Sequence, residues 1–418
     1  MKIGTFAKKF NLNISAVRFY VNTGLLTPNK VGSQYKFNEE CIDDMKKILE
    51  YKQCHFSLEE IELLFFMRKT SNFQDKIVLD ICRNILENKR NQLTAEKNNL
   101  VHFIKEIDQE ITNLPICTPV GMTEEGVPFS IIPYLYCPIC QKPLKLDFAS
   151  LANNGIQKGV LSCPCGYTAT IADGIILCRD YTEDSPLKAY ENIESVTAWK
   201  EHFSSTYRML MKKTYIWMYN QIANQLDMTR YIMAGPFTYN FILEYIEKLA
   251  QNNILIIFDP SLKRIHKIKQ YIPAYNKNIV YIAGSPQELP IKNGTVDIFI
   301  DDYSTTNSLY TYNTFSTEYI GPLLKESADV TGIFNNYQHA PNMIQNFKKL
   351  HPGFEPEKMS LSKLKYQWSL RDVTIIKEKR IGTTTVESDR VNYTQNSIGE
   401  MLDVYGYHAK KGASKKET

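Results

Sequence analysis

Two apolar runs decide the larger part of the fold: ILIIFD at residues 254–259 and NIVYIAGSPQELPIKNGTVDIFI at residues 278–300. Continuous stretches of β-branched and aromatic residues are typical of strands buried on both faces. The second run holds two such stretches, separated by a turn-forming segment rich in Pro and Gly. A short strand is expected over residues 229–234, and helical segments lie between the strands. This alternation predicts a doubly wound α/β sheet over residues 181–408.

The length and composition of the chain indicate several globular domains. With 418 residues, 43% hydrophobic and 22% charged, the chain is too apolar for wholesale disorder and long enough for two to four domains. No apolar run approaches the length of a membrane span, and the first residues do not resemble a signal peptide. The nine cysteines are odd in number and clustered, which favours a reduced cytoplasmic protein with a metal site over a disulfide scaffold.

The positive charge is concentrated at the N-terminus. The net charge is only +4, but residues 1–36 contain six basic side chains and no acidic one. The basic residues are Lys2, Lys8, Lys9, Arg18, Lys30 and Lys36. Such a local imbalance attracts a polyanion.

The chain divides into five predicted segments. They are a helical region over residues 1–73, a long helix over 74–114, a cysteine-rich region over 115–180, the α/β region over 181–408 and a disordered basic tail over 409–418.

The first region has the pattern of a winged helix-turn-helix. Apolar residues at helical spacing over 3–10 are followed by a turn at 11–13 and a second helix over about 14–20. That helix leaves Ser15, Arg18 and Tyr20 for a face that could contact phosphates or base edges. Residues 30–37 predict a small β-wing with its tip at Gly32 and Ser33. The alternative is a small helical bundle with a solvated basic face.

The order and spacing of five motifs in this region resemble the MerR family. The motifs are IGTFAK at 3–8, VRFY at 17–20, GLLTP at 24–28, YKF at 35–37 and FSLEEI at 56–61. The resemblance implies that Arg18, Tyr20 and Lys36 hold the DNA backbone. The full set of expected DNA-contacting residues is Ser15, Arg18, Phe19, Tyr20, Tyr35 and Lys36. Gln34 and Lys36 stand where the family usually has Gly and Arg, and lysine lacks the bidentate fork of arginine.

The same resemblance implies a partner and a mechanism. MerR proteins bind double-stranded promoter DNA as dimers, and their binding distorts an overlong promoter spacer so that RNA polymerase can use it. A two-fold dimer would read a pseudo-palindromic site.

The long helix carries a heptad pattern. Apolar residues recur at Leu79, Leu86, Leu93, Leu100, Ile107 and Leu114. The second seam position is filled by Arg83, Arg90 and Lys97, and then by Ile104 and Ile111. This pattern predicts a coiled-coil dimerisation helix, and an antiparallel partner would set the basic half against the apolar half. The alternative is that the seam packs on later domains of the same chain.

Four cysteines predict a small zinc ribbon. Cys137 and Cys140 form one knuckle, Cys163 and Cys165 form a second, and four thiolates in a tetrahedral array are the closed, structural form of a zinc site. The second knuckle is CxC rather than CxxC, so Cys178 could replace one ligand, and a metal-free pair of knuckles is the alternative. The stretch from Cys137 to Leu146, with residues 170–176, resembles the ribbons found beside some methyltransferases.

The α/β region resembles class I S-adenosylmethionine-dependent methyltransferases around residues 254–300. The resemblance gives Asp259 the position of the acid that grips the ribose of the ligand. However, the first strand is followed by Gly235 alone, without the family's acid and GxGxG loop, and Ser285 replaces the acid that meets the adenine. We therefore expect a degenerate site that does not bind S-adenosylmethionine tightly.

A cleft is nevertheless expected where these strands end, and it would be bordered by Gly235, Asp259, Ser285 and Tyr303. This cleft is the candidate site for a small-molecule effector. The alternative is that the domain has no ligand and only enlarges the dimer or docks a protein.

No catalytic arrangement is visible in the sequence, which has neither an HxxxH pair nor a GxSxG elbow. The sequence therefore predicts a cytoplasmic, dimeric transcription regulator whose C-terminal domain senses a ligand or partner. A DNA-tethered S-adenosylmethionine-dependent methyltransferase is the alternative.

Overall fold

A computed structural model gives the structure of the chain in two compact units, Met1–Ile116 and Cys117–Thr418. It describes residues 1–32, 34–71, 75–113, 125–152, 155–183, 204–228, 230–236, 239–272, 278–387 and 394–412.

The first unit is helical apart from one small hairpin. Its elements are α1 (Ile3–Lys9), α2 (Ile14–Asn22), β1 (Asn29–Val31), β2 (Gln34–Lys36), α3 (Glu39–Gln53), α4 (Leu58–Ser71) and α5 (Lys76–Asn113). The two strands pair antiparallel, with Lys30 opposite Tyr35. Phe6, Val17 and Met45 lie in a fully buried core. The structure confirms the predicted helical region, wing and long helix, while Ser33 at the expected wing tip lies outside the described residues.

The second unit is built around one large mixed sheet. Its strands are β3 (Val127–Pro128), β4 (Lys145–Ala152), β5 (Gly155–Ser162), β6 (Thr168–Ala172), β7 (Ile175–Leu177), β8 (Tyr231–Ala234), β9 (Ile254–Asp259), β10 (Ile279–Ala283), β11 (Val296–Asp301), β12 (Leu324–His339), β13 (Val373–Thr385) and β14 (Met401–Lys411). The described α-helices are α6 (Ser205–Ile222), α7 (Asn240–Ala250), α8 (Leu262–Tyr271), α9 (Ser304–Tyr312), α10 (Thr317–Ile320), α11 (Pro341–Leu350) and α12 (Leu361–Ser369).

The centre of this sheet is parallel. Strands β10, β9, β8, β11 and β12 are neighbours in that order, which is the 3-2-1-4-5 order of a doubly wound sheet. Strand β14 lies beyond them, antiparallel to both β12 and β13. Ile256 and Phe258 face one hydrophobic core, and their neighbours Leu255 and Ile257 face another. Because both faces of the sheet are covered, its strands are apolar throughout, as the sequence predicted.

The cysteine-rich region continues this sheet. Strand β7 pairs parallel with β10, with Ile176 opposite Ile282, and β6, β5 and β4 follow antiparallel. The amine of Lys269 on α8 also connects this region to the α/β region, because it donates hydrogen bonds to the carbonyls of Glu125 (3.1 Å) and Asp173 (2.8 Å). The predicted boundary at residue 180 therefore falls inside one compact unit.

The basic tail begins later than the sequence suggested. Ala409, Lys410 and Lys411 belong to β14, and Ala409 is fully buried because β14 runs between β12 and β13. Residues 413–418 lie outside the described part of the chain. Each described helix is too short or too polar to cross a bilayer.

Candidate DNA interface, metal site and cleft

Helix α2 begins at a capping residue. The side-chain oxygen of Asn13 accepts hydrogen bonds from the backbone N–H of Ala16 and the hydroxyl of Ser15, both at 2.7 Å. Asparagine is a strong N-cap because it satisfies a backbone donor that the helix leaves unpaired. Because this cap fixes the residue at which α2 begins, it also fixes which side chains of the helix point outward.

The outward face of α2 differs from the prediction at one residue. Ser15, Arg18 and Phe19 are exposed, as expected for residues that contact DNA, and Phe19 is 46% exposed. Tyr20 is only 4% exposed, and its hydroxyl accepts a hydrogen bond from the amine of Lys52 at 3.3 Å. Positions three apart share a helix face, so Tyr20 follows the fully buried Val17 into the core.

The wing adds a second basic element. Lys36 is exposed at the end of β2, and Tyr35 beside it is half-buried. Across the described residues, neither Arg18 nor Lys36 forms an ion pair. Two guanidinium or ammonium groups without acidic partners can contact the phosphates of a nucleic acid.

The four predicted zinc ligands lie together. The sulfurs of Cys137 and Cys165 are 3.5 Å apart, those of Cys140 and Cys163 are 3.4 Å apart, and all four lie within 4.8 Å of one another. Four sulfurs bound to one tetrahedral zinc ion would be about 3.8 Å apart. The donor set therefore fits one closed tetrahedral ion such as zinc.

Tight turns make both knuckles, including the shorter one. The N–H of Gln141 donates to the carbonyl of Cys137 at 2.9 Å, and the N–H of Gly166 donates to Cys163 at 3.0 Å. Gly166 has a φ of +92°, a left-handed conformation that glycine adopts without steric cost. That turn lets a CxC pair replace the usual CxxC pair.

The pKa values of the Cys163 and Cys165 thiols are shifted in opposite directions. The backbone N–H of Tyr167 and the neighbouring thiols donate to Cys165 and lower its pKa to about 7. At Cys163 the N–H of Cys165 favours the thiolate, but burial and the neighbouring thiols together raise the pKa to about 12. Four thiolates at this separation repel one another, so a divalent cation is needed to hold them all deprotonated.

Cys178 does not belong to the cluster. It is buried at the end of the ribbon strands, and its N–H donates to the carbonyl of Ala283 at 2.8 Å. A Cβ added to Gly284 would lie 2.6 Å from the Cys178 sulfur, so the two backbones approach closely here. Cys178 is therefore a packing residue rather than a substitute ligand.

The strand ends that were expected to form a cleft are adjacent. Ala283 pairs with Asp259, and Ala234 pairs with Ile257, so β8, β9 and β10 end at one edge of the sheet. The Asp259 side chain is fully buried. Its carboxylate accepts from the Tyr239 hydroxyl at 2.7 Å and from the Ser261 N–H at 2.9 Å, and Arg264 lies at 3.1 Å.

The residues around Asp259 do not fit S-adenosylmethionine. The carboxylate that would hold the ribose is already neutralised by Arg264 and occupied by Tyr239. The segment after β8 also packs closely, because a Cβ on Gly235 would lie 2.3 Å from the Ser304 side chain. Ser285 is buried, and its N–H donates to Asp180 at 3.3 Å.

The Tyr303 side chain reaches helix α6. Its hydroxyl lies 2.6 Å from the Tyr207 hydroxyl and 3.0 Å from the Met211 sulfur, both on α6. Burial raises its pKa well above the usual value, so it stays a neutral phenol. Tyr303 caps α9 with a φ of +62° and packs in the core. The structure therefore brings Asp259 and Ser285 to neighbouring strand ends but turns Tyr303 toward α6.

Tyr239 and Arg264, the residues that engage Asp259, were missed in the sequence. Arg264 lies in the first turn of α8, five positions after Asp259, so an acid at a strand end followed by a base in the next helix was a usable signal. Tyr239 comes from the preceding strand-to-helix connection, and nothing in its local sequence pointed to Asp259.

A family model described as "MerR HTH family regulatory protein" matches residues 1–65. Residues 1–65 are a MerR helix-turn-helix domain. In this MerR domain, Arg18 is exposed on α2, and Lys30 and Lys36 are exposed on the wing.

Solved class I methyltransferases are similar to the C-terminal part of the chain. Geranyl diphosphate C-methyltransferase from Streptomyces coelicolor A3(2) is 8% identical with a TM-score of 0.36, and the match covers 56% of this chain and 88% of that one. A 1,6-didemethyltoxoflavin-N1-methyltransferase from Burkholderia thailandensis is 10% identical with a TM-score of 0.32, and the match covers 61% and 96%. A 16S rRNA (adenine(1408)-N(1))-methyltransferase from Catenulisporales acidiphilia is 12% identical with a TM-score of 0.32, and the match covers 48% and 93%. No curated protein matches the chain significantly.

The cysteine cluster should hold one zinc ion per chain. Elemental analysis of untagged protein is expected to find about one zinc per chain, and Cys140→Ser should lower that content strongly because it removes one of four ligands. Cys54→Ser is the matched control, since Cys54 is exposed and lies outside the cluster. Wild-type protein with far less than one zinc per chain would contradict the assignment.

S-adenosylmethionine should not bind the second unit with micromolar affinity. Titration calorimetry of the wild-type protein is expected to show no saturable heat, because Asp259 is buried and paired. Micromolar binding that Asp259→Ala abolishes would contradict this reading of the cleft and would revive the methyltransferase alternative.

Proposed function

We propose that this protein is a dimeric, sequence-specific regulator of transcription that binds double-stranded promoter DNA through its MerR domain. The observation that carries the proposal is a MerR helix-turn-helix domain in which two exposed cations, Arg18 on α2 and Lys36 on the wing, lack acidic partners among the described residues. In this proposal the second unit senses a ligand or a protein partner and does not catalyse a reaction.

Arg18 and Lys36 are the proposed phosphate contacts. They come from α2 and from the wing, the two elements by which winged helix-turn-helix proteins straddle a groove. Ser15 and Phe19 are exposed on the same helix and are proposed to lie against the sugar or base edges. Tyr20 contributes less than the sequence suggested, because its ring is buried and its hydroxyl is bonded to Lys52.

The long helix supports a dimer. Most of the apolar seam residues in the described part of the helix are exposed, from 39% at Leu79 to 60% at Ile111, while Leu93 is half-buried. A groove of about 570 Å³ runs beside the first half of α5, between it and helices α3 and α4. The groove has an apolar floor that includes Leu64, Phe65 and Leu86. An unpaired apolar surface of this size favours association with a second helix.

The charges suggest how the second copy is oriented. Arg68, Arg83 and Arg90 border the groove. The second half of α5 carries the exposed acids Glu106, Asp108 and Glu110 between its isoleucines. An antiparallel pair would set this acidic, apolar half of one α5 into the basic groove of the other, which is the arrangement that the heptads predicted.

A dimer of this kind has a specific role at a promoter. Its two-fold symmetry matches a pseudo-palindromic DNA site. The resemblance to MerR proteins implies that the bound dimer distorts the promoter spacer for RNA polymerase, and we include RNA polymerase among the proposed partners. Because chromosomal DNA is the proposed ligand, the proposed location is the cytoplasm.

The alternative is a DNA-tethered methyltransferase. The 3-2-1-4-5 strand order is compatible with that alternative, since it places several strand ends at one edge. The pairing of Asp259 with Arg264 and the close packing of Gly235 on Ser304 favour the regulator instead.

Replacing Arg18 tests the proposed DNA contact. Arg18→Ala should weaken binding to all duplex sequences alike and reduce the slope of log K against log salt by about one phosphate contact. Lys142→Ala, which removes an exposed lysine of the second unit, is the control and should leave the slope unchanged. An unchanged salt slope for Arg18→Ala, measured by fluorescence anisotropy, would remove Arg18 from the interface.

A further inference from the structure

Helix α5 is attached to the MerR domain through very few side chains. It has 38 residues and is about 57 Å long, yet Cys82 and Lys89 are its buried residues among those described. The two positions are seven apart and share one face of the helix. Lysine is rarely buried unless its amine is fully paired, so Lys89 has an unusual position.

The amine of Lys89 is fully hydrogen-bonded. It lies 2.8 Å from a carboxylate oxygen of Glu60, 3.0 Å from the carbonyl oxygen of His55 and 3.3 Å from the side-chain oxygen of Gln92. These three acceptors satisfy the three protons of an ammonium group. The amine also lies 5.2 Å from the centre of the Phe56 ring. Lys89 is 7% exposed, so these contacts are largely shielded from water.

The partners of Lys89 are themselves fixed in place. Glu60 and Ser57 form a capping box at the start of α4: the Ser57 N–H donates to Glu60 at 2.7 Å, and the Glu60 N–H donates to the Ser57 hydroxyl at 3.1 Å. His55 has a φ of +60° in the turn that joins α3 to α4. That left-handed turn holds its carbonyl toward Lys89.

We propose that Lys89 is the positioning residue that sets the angle between α5 and the MerR domain, and thereby the separation of the two DNA half-sites that the dimer reads. The inference rests on the proposed function, because a half-site separation exists only if two chains bind one duplex.

The angle between α5 and the MerR domain matters because, in the proposed dimer, α5 joins the two DNA-binding domains, so a change of angle at one helix moves its DNA-binding domain relative to the other. One base-pair step changes the distance between half-sites by about 3.4 Å along the DNA axis, and it also rotates one half-site relative to the other. A rigid attachment makes the dimer match one spacing, whereas a loose attachment lets it match several. Lys89 is buried while Glu60 is about one-third exposed, and removing the Glu60 charge would leave the buried ammonium group without its acidic partner. The Lys89 contacts therefore hold the angle.

Selection from a library of random duplex DNA tests the inference with the full-length protein. The bound DNA is sequenced, and the distribution of spacings between inverted half-sites is the readout. The wild type should enrich one spacing. Lys89→Met should enrich the same half-site sequence, but its preference for the main spacing over neighbouring ones should fall by about tenfold or more.

A second variant keeps the test decisive if Lys89→Met does not fold. Glu60→Gln retains the capping box, since glutamine also serves at that position, but it removes the charge that pairs with Lys89. It should broaden the spacing as well. Lys105→Met is the matched control, because Lys105 is exposed on the same helix and off the apolar seam. It should keep the wild-type distribution.

The outcomes separate this inference from the proposed function. If the wild type enriches one spacing and both variants retain it, the inference is wrong and the dimeric regulator stands, even where thermal unfolding shows the variants to be less stable. If the wild type enriches no paired half-sites, the proposed function fails and the inference fails with it.

Discussion

The exposed apolar seam of α5 is the constraint on which the functional account depends. Fully burying a leucine or isoleucine side chain is worth about 1.5–3 kcal/mol, and α5 leaves several of them more than half exposed. In the proposed dimer, a second copy of the helix covers the seam and pairs its acids with the basic groove beside α3 and α4. The two-fold symmetry of that dimer would hold two MerR domains in fixed relation, which is what a palindromic DNA site requires.

In the second unit, the edge of the sheet where the parallel strands end is filled by side chains of the chain itself. The parallel strands end together at one edge, where doubly wound sheets usually bind ligands. Here Arg264 and Tyr239 fill the hydrogen-bonding capacity of Asp259, and Ser304 packs against Gly235. Function belongs to sites rather than to folds, so the strand order alone does not make this unit an enzyme.

Local patterns in the sequence predicted the helices, the wing and the cysteine cluster well. Contacts between segments that are distant in the sequence could not be predicted. The long helix, the wing and the two cysteine knuckles are encoded by patterns within short stretches of sequence, and the structure contains all three. The burial of Tyr20 depended on where Asn13 starts α2, because that position sets which side chains of the helix face the core. The parallel pairing of β7 with β10 and the contact of Tyr239 with Asp259 join segments that no periodicity connects. The CxC knuckle was harder to interpret because its geometry depends on the left-handed Gly166.

The mass of the protein in solution tests the central claim most directly. Light scattering after size exclusion should give twice the chain mass of 48.3 kDa for the wild type. Ile107→Lys places a charge in the seam and should give the single-chain mass, while Gln109→Lys, an exposed neighbour off the seam, should stay dimeric. A single-chain mass for the wild type, or a dimer that Ile107→Lys leaves intact, would contradict assembly through α5.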